Sequence, residues 1–153
     1  MPNAYIFRRK LGCPLPNFEG TTGHVGWAFE LTQGAGICCG ATENPKAHPW
    51  APVGGDNGAW QKVVADIAEL ETVMRKLHYD DYKIVPVTVC DIEQALTVVA
   101  NNARVGYSAF GNNCLDHTYQ VLLHYCALTL PIPTFYPLPN AWFSAANGEH
   151  HPL

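Results

Sequence analysis

Charge is scarce in this chain. Only 14% of its 153 residues are Asp, Glu, Lys or Arg, against 48% hydrophobic. That balance excludes a disordered polymer and a coiled coil. Basic residues are outnumbered, nine Lys and Arg against thirteen Asp and Glu, for a net charge of -4. No positive field is available to hold a phosphate backbone, so nucleic acid is not an expected partner. No run approaches the roughly 18 apolar residues of a membrane-spanning helix. Behind Arg8, Arg9 and Lys10 the chain turns to Leu11-Gly12-Cys13-Pro14-Leu15-Pro16, without the apolar core of a secretory signal. A cytoplasmic location is therefore expected, although export by a dedicated machine would leave no such mark. No internal repeat and no Cys-x-x-Cys pair is present.

What the chain does have is 13 Gly, 12 Pro and 11% aromatic residues. This composition fits a loop-rich α+β fold in one domain spanning 1–153. A chain of this length buries a core without covalent staples, and the adjacent Cys38 and Cys39 would make a strained bridge. The six cysteines, at 13, 38, 39, 90, 114 and 126, are accordingly read as free thiols of a reducing compartment.

Ala4–Arg8 is rich in β-formers and reads as a first strand. Gly23–Leu31 and Ile37–Thr42 read as the arms of a β-hairpin around Gln33-Gly34-Ala35-Gly36. From Asn44 to Gly58 the sequence is rich in Pro, Gly and Asn, a loop composition. Trp60, Val63, Val64, Ile67, Leu70, Met74 and Leu77 then recur at helical spacing, which predicts a helix over about 58–78 capped by Asp56 or Asn57. Tyr82–Val89 alternates as a strand, with Pro86 placing it at an edge or beside a bulge. Asp91 caps a second helix, Ile92 to about Asn102. A third opens at Asn113-Cys114-Leu115-Asp116, where Asn113 is the N-cap and Asp116 the partner of a capping box. Beyond residue 127 the Pro-rich, aromatic chain is expected to lie extended over the domain, with 144–153 a frayed tail.

The third helix puts Cys114 at its first position, where unpaired N–H groups and the positive end of the dipole favour thiolate. None of the other five cysteines has such a setting. A nucleophilic thiol needs a base, and histidine suits that role near neutral pH. His150 and His151 are in the tail, His78 ends a helix and His124 is nearly three turns from Cys114. His48 lies in the loop, and His117, three residues after Cys114, is badly angled for proton transfer. His24 begins a Gly-flanked strand, rigid and with small neighbours that leave room for substrate. If Gln33-Gly34 centre the hairpin, positions summing to 67 pair, and His24 faces Glu43. A centre one residue later leaves Glu43 on the His24 face, and a three-residue loop puts Asn44 opposite instead. Glu43, or Asn44 in its place, then orients the imidazole as in hydrolytic triads. The plain alternative is a solvated carboxylate at a strand end.

Gly-His-Val-Gly-Trp at 23–27, followed far downstream by Asn-Cys-Leu-Asp-His-Thr at 113–118, resembles the permuted branch of the NlpC-like, papain-fold cysteine hydrolases. The lecithin:retinol acyltransferase-like enzymes belong to that branch. In papain the Cys precedes the His; in the permuted branch a His-Val-Gly strand comes first and an Asn-Cys helix later. The resemblance implies an antiparallel sheet packed against helices, Cys114 as nucleophile, His24 as base, and a polar third residue on the next strand. The two motifs are short, covering 11 of the 153 residues. They depart from the acyltransferase-like pattern, which carries a second His where this chain offers Cys38, Cys39, Glu43 or Asn44.

The implied reaction is hydrolysis of an amide or ester through a Cys114 thioester, as in a cysteine peptidase or amidase. The backbone N–H of Cys114 and the Asn112 side chain are candidates for the oxyanion hole. Trp27, Trp50 and Tyr107 are candidates for the substrate groove, with core packing the other reading of each. The substrate class is a small molecule, a lipid amide or a peptide, and the chemistry calls for no cofactor and no metal. The rivals are a thiol acyltransferase of the same fold, a non-catalytic binding module, and a zinc site built from Cys114, His117, His24 and Glu43.

Overall fold

A computed structural model describes residues 2–11, 22–43, 58–108 and 113–153. Its strands are β1 (Ala4–Arg9), β2 (His24–Glu30), β3 (Ile37–Thr42), β4 (Ala59–Val64), β5 (Asp81–Val85) and β6 (Glu149–Pro152). The helices are α1 (Ile67–Lys76), α2 (Ile92–Val105), α3 (Cys114–His124) and α4 (Pro139–Ala145). All six strands form one antiparallel sheet in the order β4-β3-β2-β1-β5-β6. The α+β class expected from composition is thus observed.

Both faces of the sheet are covered, and the period-two alternation of each central strand decides which residue goes where. Ala4 and Ile6 of β1, Val25, Trp27 and Phe29 of β2, and Cys38 of β3 enter the layer filled by α2, α3 and α4. Tyr5 and Phe7, Ala28, and Ile37, Cys39 and Ala41 enter the opposite layer, filled by Leu70 and Met74 of α1 and by Leu77 at its C-cap. Large side chains with no exposure to water anchor each layer, among them Trp142 and Phe29 on one side and Phe7 and Met74 on the other. Each such burial stabilises the fold by about 1.5–3 kcal/mol before entropy is counted.

The hairpin keeps the expected register through a longer connection. Trp27 pairs with Gly40 and Glu30 with Ile37, so paired positions sum to 67. Six residues, 31–36, join the arms, closed by the Leu31 N–H donating to the Gly36 carbonyl. The centre of the connection, rather than its length, sets the pairing.

Two expectations are corrected. The helix expected over 58–78 is a strand followed by a helix. Residues 59–64 pair with β3 as β4, and α1 starts only after Asp66, whose side chain accepts from the Glu69 N–H. Glu69 reaches back to the Ala65 N–H, so a true cap lies inside the stretch read as continuous. Asp56 and Asn57 lie outside the described residues. The tail is not frayed: Glu149–Pro152 forms the edge strand β6 on β5, preceded by α4 with Pro139 in its first turn. β5 is consequently internal and ends at Val85, and Pro86 follows it, where no ladder hydrogen bond is lost. Among the described residues no helix is long and apolar enough to cross a membrane.

Candidate active site

The third helix starts as its sequence requires. Asn113 is extended and its side chain accepts from the N–H groups of Leu115 and Asp116, while Asp116 Oδ2 accepts from the Asn113 N–H. This capping box uses the amides of Asn113, Leu115 and Asp116 and not that of Cys114. Cys114 is therefore the first helical residue, with its amide outside the cap, and the residue is 2% exposed. It packs in the α2–α4 layer with Val25 and Leu115.

His24 opens β2, in phase with Ala28, and its imidazole turns into the α1 layer. Its Nε2 lies 2.9 Å from Glu43 Oε1 and 2.9 Å from the hydroxyl of Tyr79. Glu43 follows β3 at the position that the 67 register sets opposite His24. Arg9, which pairs with His24 from β1, donates through Nη1 to the same Glu43 oxygen at 3.0 Å and through Nη2 to the Leu77 carbonyl. Arg9, His24 and Glu43 thus form one row across three adjacent strands, each at most 4% exposed.

Arg9 and Tyr79 were not singled out from the sequence. Arg9 shares the phase of Tyr5 and Phe7, a signal that could have placed it in the α1 layer. Tyr79 is delivered by the end of α1. Leu77 caps the helix, His78 turns left-handed with φ of 64°, and the N–H groups of His78 and Tyr79 donate to Arg75 and Met74. This is a Schellman motif with His in the place of the usual Gly. It throws the Tyr79 ring back over the sheet, where the Arg9 guanidinium stacks on it at 4.8 Å.

Electrostatics follow from burial. Desolvation lowers the pKa of His24, opposed by the charge and hydrogen bond of Glu43; Arg9 adds to the lowering. Desolvation also pushes the Tyr79 phenol well above its ordinary value, with Glu43 and Cys114 among the charges that oppose its ionisation. Tyr79 therefore has both halves of the candidate site in its surroundings: a hydrogen bond to His24, and electrostatic reach to Cys114.

His117, on the Cys114 helix, lies in the other layer. Its Nδ1 is bonded to the Thr42 hydroxyl, and burial pushes its pKa down to about 4. So weak a base holds no proton at neutral pH, whereas Glu43 works against the same effect at His24. Of the zinc ligands weighed from sequence, His117 turns its Nδ1 to Thr42, and His24 turns its Nε2 to Glu43 and Tyr79. No three His, Cys, Asp or Glu among the described residues gather as a metal site.

Of the groove candidates, Trp27 is 3% exposed and stacks on Phe29 at 5.6 Å inside the core. It is a packing residue, placed there by strand alternation. Tyr107 is half-buried just past the Gly106 cap of α2. Asn44, His48, Trp50 and Asn112 lie outside the described residues, as does Cys13; the five described cysteines form no disulfide with one another. No family model matches the chain, and no curated protein or solved structure is significantly similar to it.

Proposed function

We propose that this protein is a cysteine hydrolase of the permuted papain-like type, cleaving an amide or ester bond in a small molecule, lipid amide or peptide. One observation carries the reading. A buried Arg9–Glu43–His24 row, with Tyr79 on the imidazole, stands at the end of the sheet beside a helix whose first residue is a cysteine. A structural protein gains little from burying such a row, because desolvating the charges costs about as much as their attraction returns.

The chemistry assigned to each group is simple. Nε2 of His24 is engaged by Glu43 and Tyr79, so proton exchange falls to Nδ1 on the other edge of the ring. Nδ1 takes the proton of Cys114 Sγ, and the thiolate forms a bond to the substrate carbonyl carbon. The carbonyl electrons move onto oxygen, where the Cys114 N–H at the start of α3 donates to them. Collapse expels the amine or alcohol, which leaves with the proton from Nδ1. Water then attacks the thioester, giving up a proton to Nδ1 and releasing the carboxylic acid and the Cys114 thiol. An acyltransferase differs only in the acceptor that replaces water.

Hydrolysis of an activated ester such as p-nitrophenyl acetate tests this, with mass spectrometry to detect acyl groups on the protein. Wild type should accumulate an acetyl group on Cys114 and turn over. Cys114→Ala should lose both, and His24→Ala should lose about 10²–10⁴ in rate, the usual worth of a general base. A Cys114→Ala protein that retains the wild-type rate excludes the assignment.

A further inference from the structure

We propose that Tyr79 is a positioning residue for His24, and that position 26 must be glycine to admit it. The inference rests on the hydrolase reading above. The Nε2 edge of the imidazole meets two oxygens at 2.9 Å, Glu43 Oε1 and the Tyr79 hydroxyl. A 180° flip about the Cβ–Cγ axis would exchange Nε2 with carbon and Nδ1 with carbon. Two oxygens around Nε2 hold the ring against that flip better than one, so Nδ1 keeps a single direction.

The phenol reaches Nε2 by passing over the backbone of β2. An ideal Cβ at Gly26 would lie 2.7 Å from the Tyr79 hydroxyl oxygen and 3.1 Å from the Gly40 carbonyl oxygen. The first distance is impossible for a real side chain, and Tyr79 has little freedom to yield. Its ring packs against both the Arg9 guanidinium and the Phe7 ring, and its backbone is fixed by the turn at His78. Glycine two residues after the histidine is therefore explained by a contact 53 residues away in sequence. The phenol is not the proton source, since burial keeps it protonated.

The experiment uses the intact protein and measures the rate of Cys114 carboxamidomethylation by iodoacetamide against pH, peptide by peptide. Tyr79→Phe removes one oxygen and keeps the ring that packs on Arg9 and Phe7. Its Cys114 should react about tenfold more slowly near pH 6.5, with the profile displaced upward, as expected when a base is misaligned. The urea midpoint should change little. Gly26→Ala, which displaces the phenol without deleting it, should show the same displacement, and it serves if Tyr79→Phe does not fold. Because both act through one contact, the double variant should be no slower than the slower single one. A wild-type profile in either folded single variant overturns the proposal. If instead wild-type Cys114 labels as an ordinary thiol and His24→Ala leaves it unchanged, the hydrolase reading fails and takes this one with it.

Discussion

Arg8 and Arg9 are neighbours with the same side chain, and each lands on a carboxylate, yet their surroundings differ. Arg8 points into the α4 side, where Nε and Nη2 donate to the two Asp81 oxygens at 3.0 and 2.6 Å. Its guanidinium lies over the Phe143 ring, and His150 of β6 joins Asp81 Oδ2, the oxygen that Arg8 Nη2 meets. This cluster reaches solvent, for the His150 side chain is 52% exposed. Arg9 points into the α1 layer and meets Glu43 with side-chain exposures of 4% and 1%. One pair is a latch that fastens the last strand to the sheet. The other is sealed from water, where removing either partner strands a charge, and it adjoins the imidazole. The difference arises from strand alternation alone, a shift of one residue.

The largest effect expected from breaking this contrast is at Glu43. Glu43→Gln leaves the Arg9 guanidinium uncompensated and should cost about 3–5 kcal/mol in urea unfolding, with an unchanged denaturant slope. A loss below about 1 kcal/mol, the range of exposed pairs, would show that the row is not sealed.

Acid comes next, and it separates the two regions by pH window. His117 and His24 both have lowered pKa values in the fold, so the unfolded chain binds their protons first. Stability should therefore be highest above about pH 6.5 and fall as the pH drops. For His117, held at about 4, the loss approaches about 3 kcal/mol once the pH is below that value. The pKa of Asp81 is lowered too, and its loss has the same sign but falls in a more acidic window. Burial alone would raise its pKa, but hydrogen bonds from Arg8 and His150 and the charge of Arg8 outweigh it. Its contribution is complete above the unfolded value of about 3.9 and is lost only as pH falls through the lower folded one. Urea midpoints at pH 7, 5.5 and 4.2 should decline while the Arg8–Asp81 latch still holds. A flat profile over that range would contradict the burial of both histidines.

The smallest effect is expected at the latch. Asp81→Asn should cost about 1–2 kcal/mol, because Arg8 and His150 can turn to water. A loss equal to that of Glu43→Gln would erase the distinction between the two arginines.

Much of the site was legible because it is local or periodic. The Asn113 cap with Asp116 fixes Cys114 at a helix start, and the hairpin centre fixes His24 against Glu43. The misread segments show where periodicity fails. Trp60 and Val64 on β4, Leu70 and Met74 on α1, and Leu77 at its C-cap all face one layer, so their spacing mimics one long helix. Asp66 with Glu69 was the signal that divides them. The tail was misjudged because β6 is stabilised by distant partners, His150 on Asp81 and His151 stacked on Tyr82 at 5.1 Å. Tyr79 was missed because the turn that delivers it has His78 where glycine would mark a helix end, and because the space it enters, over Gly26, is a tertiary feature.

The proposed role of Cys114 requires activation by position rather than by access, and competition among the thiols tests that directly. Cys126 is exposed, Cys114 is buried, and burial pushes Cys38 and Cys39 up to about 11 and 12. Limiting iodoacetamide at pH 6.5, read by peptide mass spectrometry, should label Cys114 before Cys126, with Cys38 and Cys39 last, and His24→Ala should abolish that lead. Labelling that follows exposure, with Cys126 first and Cys114 no faster than the strand cysteines, would contradict the assignment of Cys114 as nucleophile.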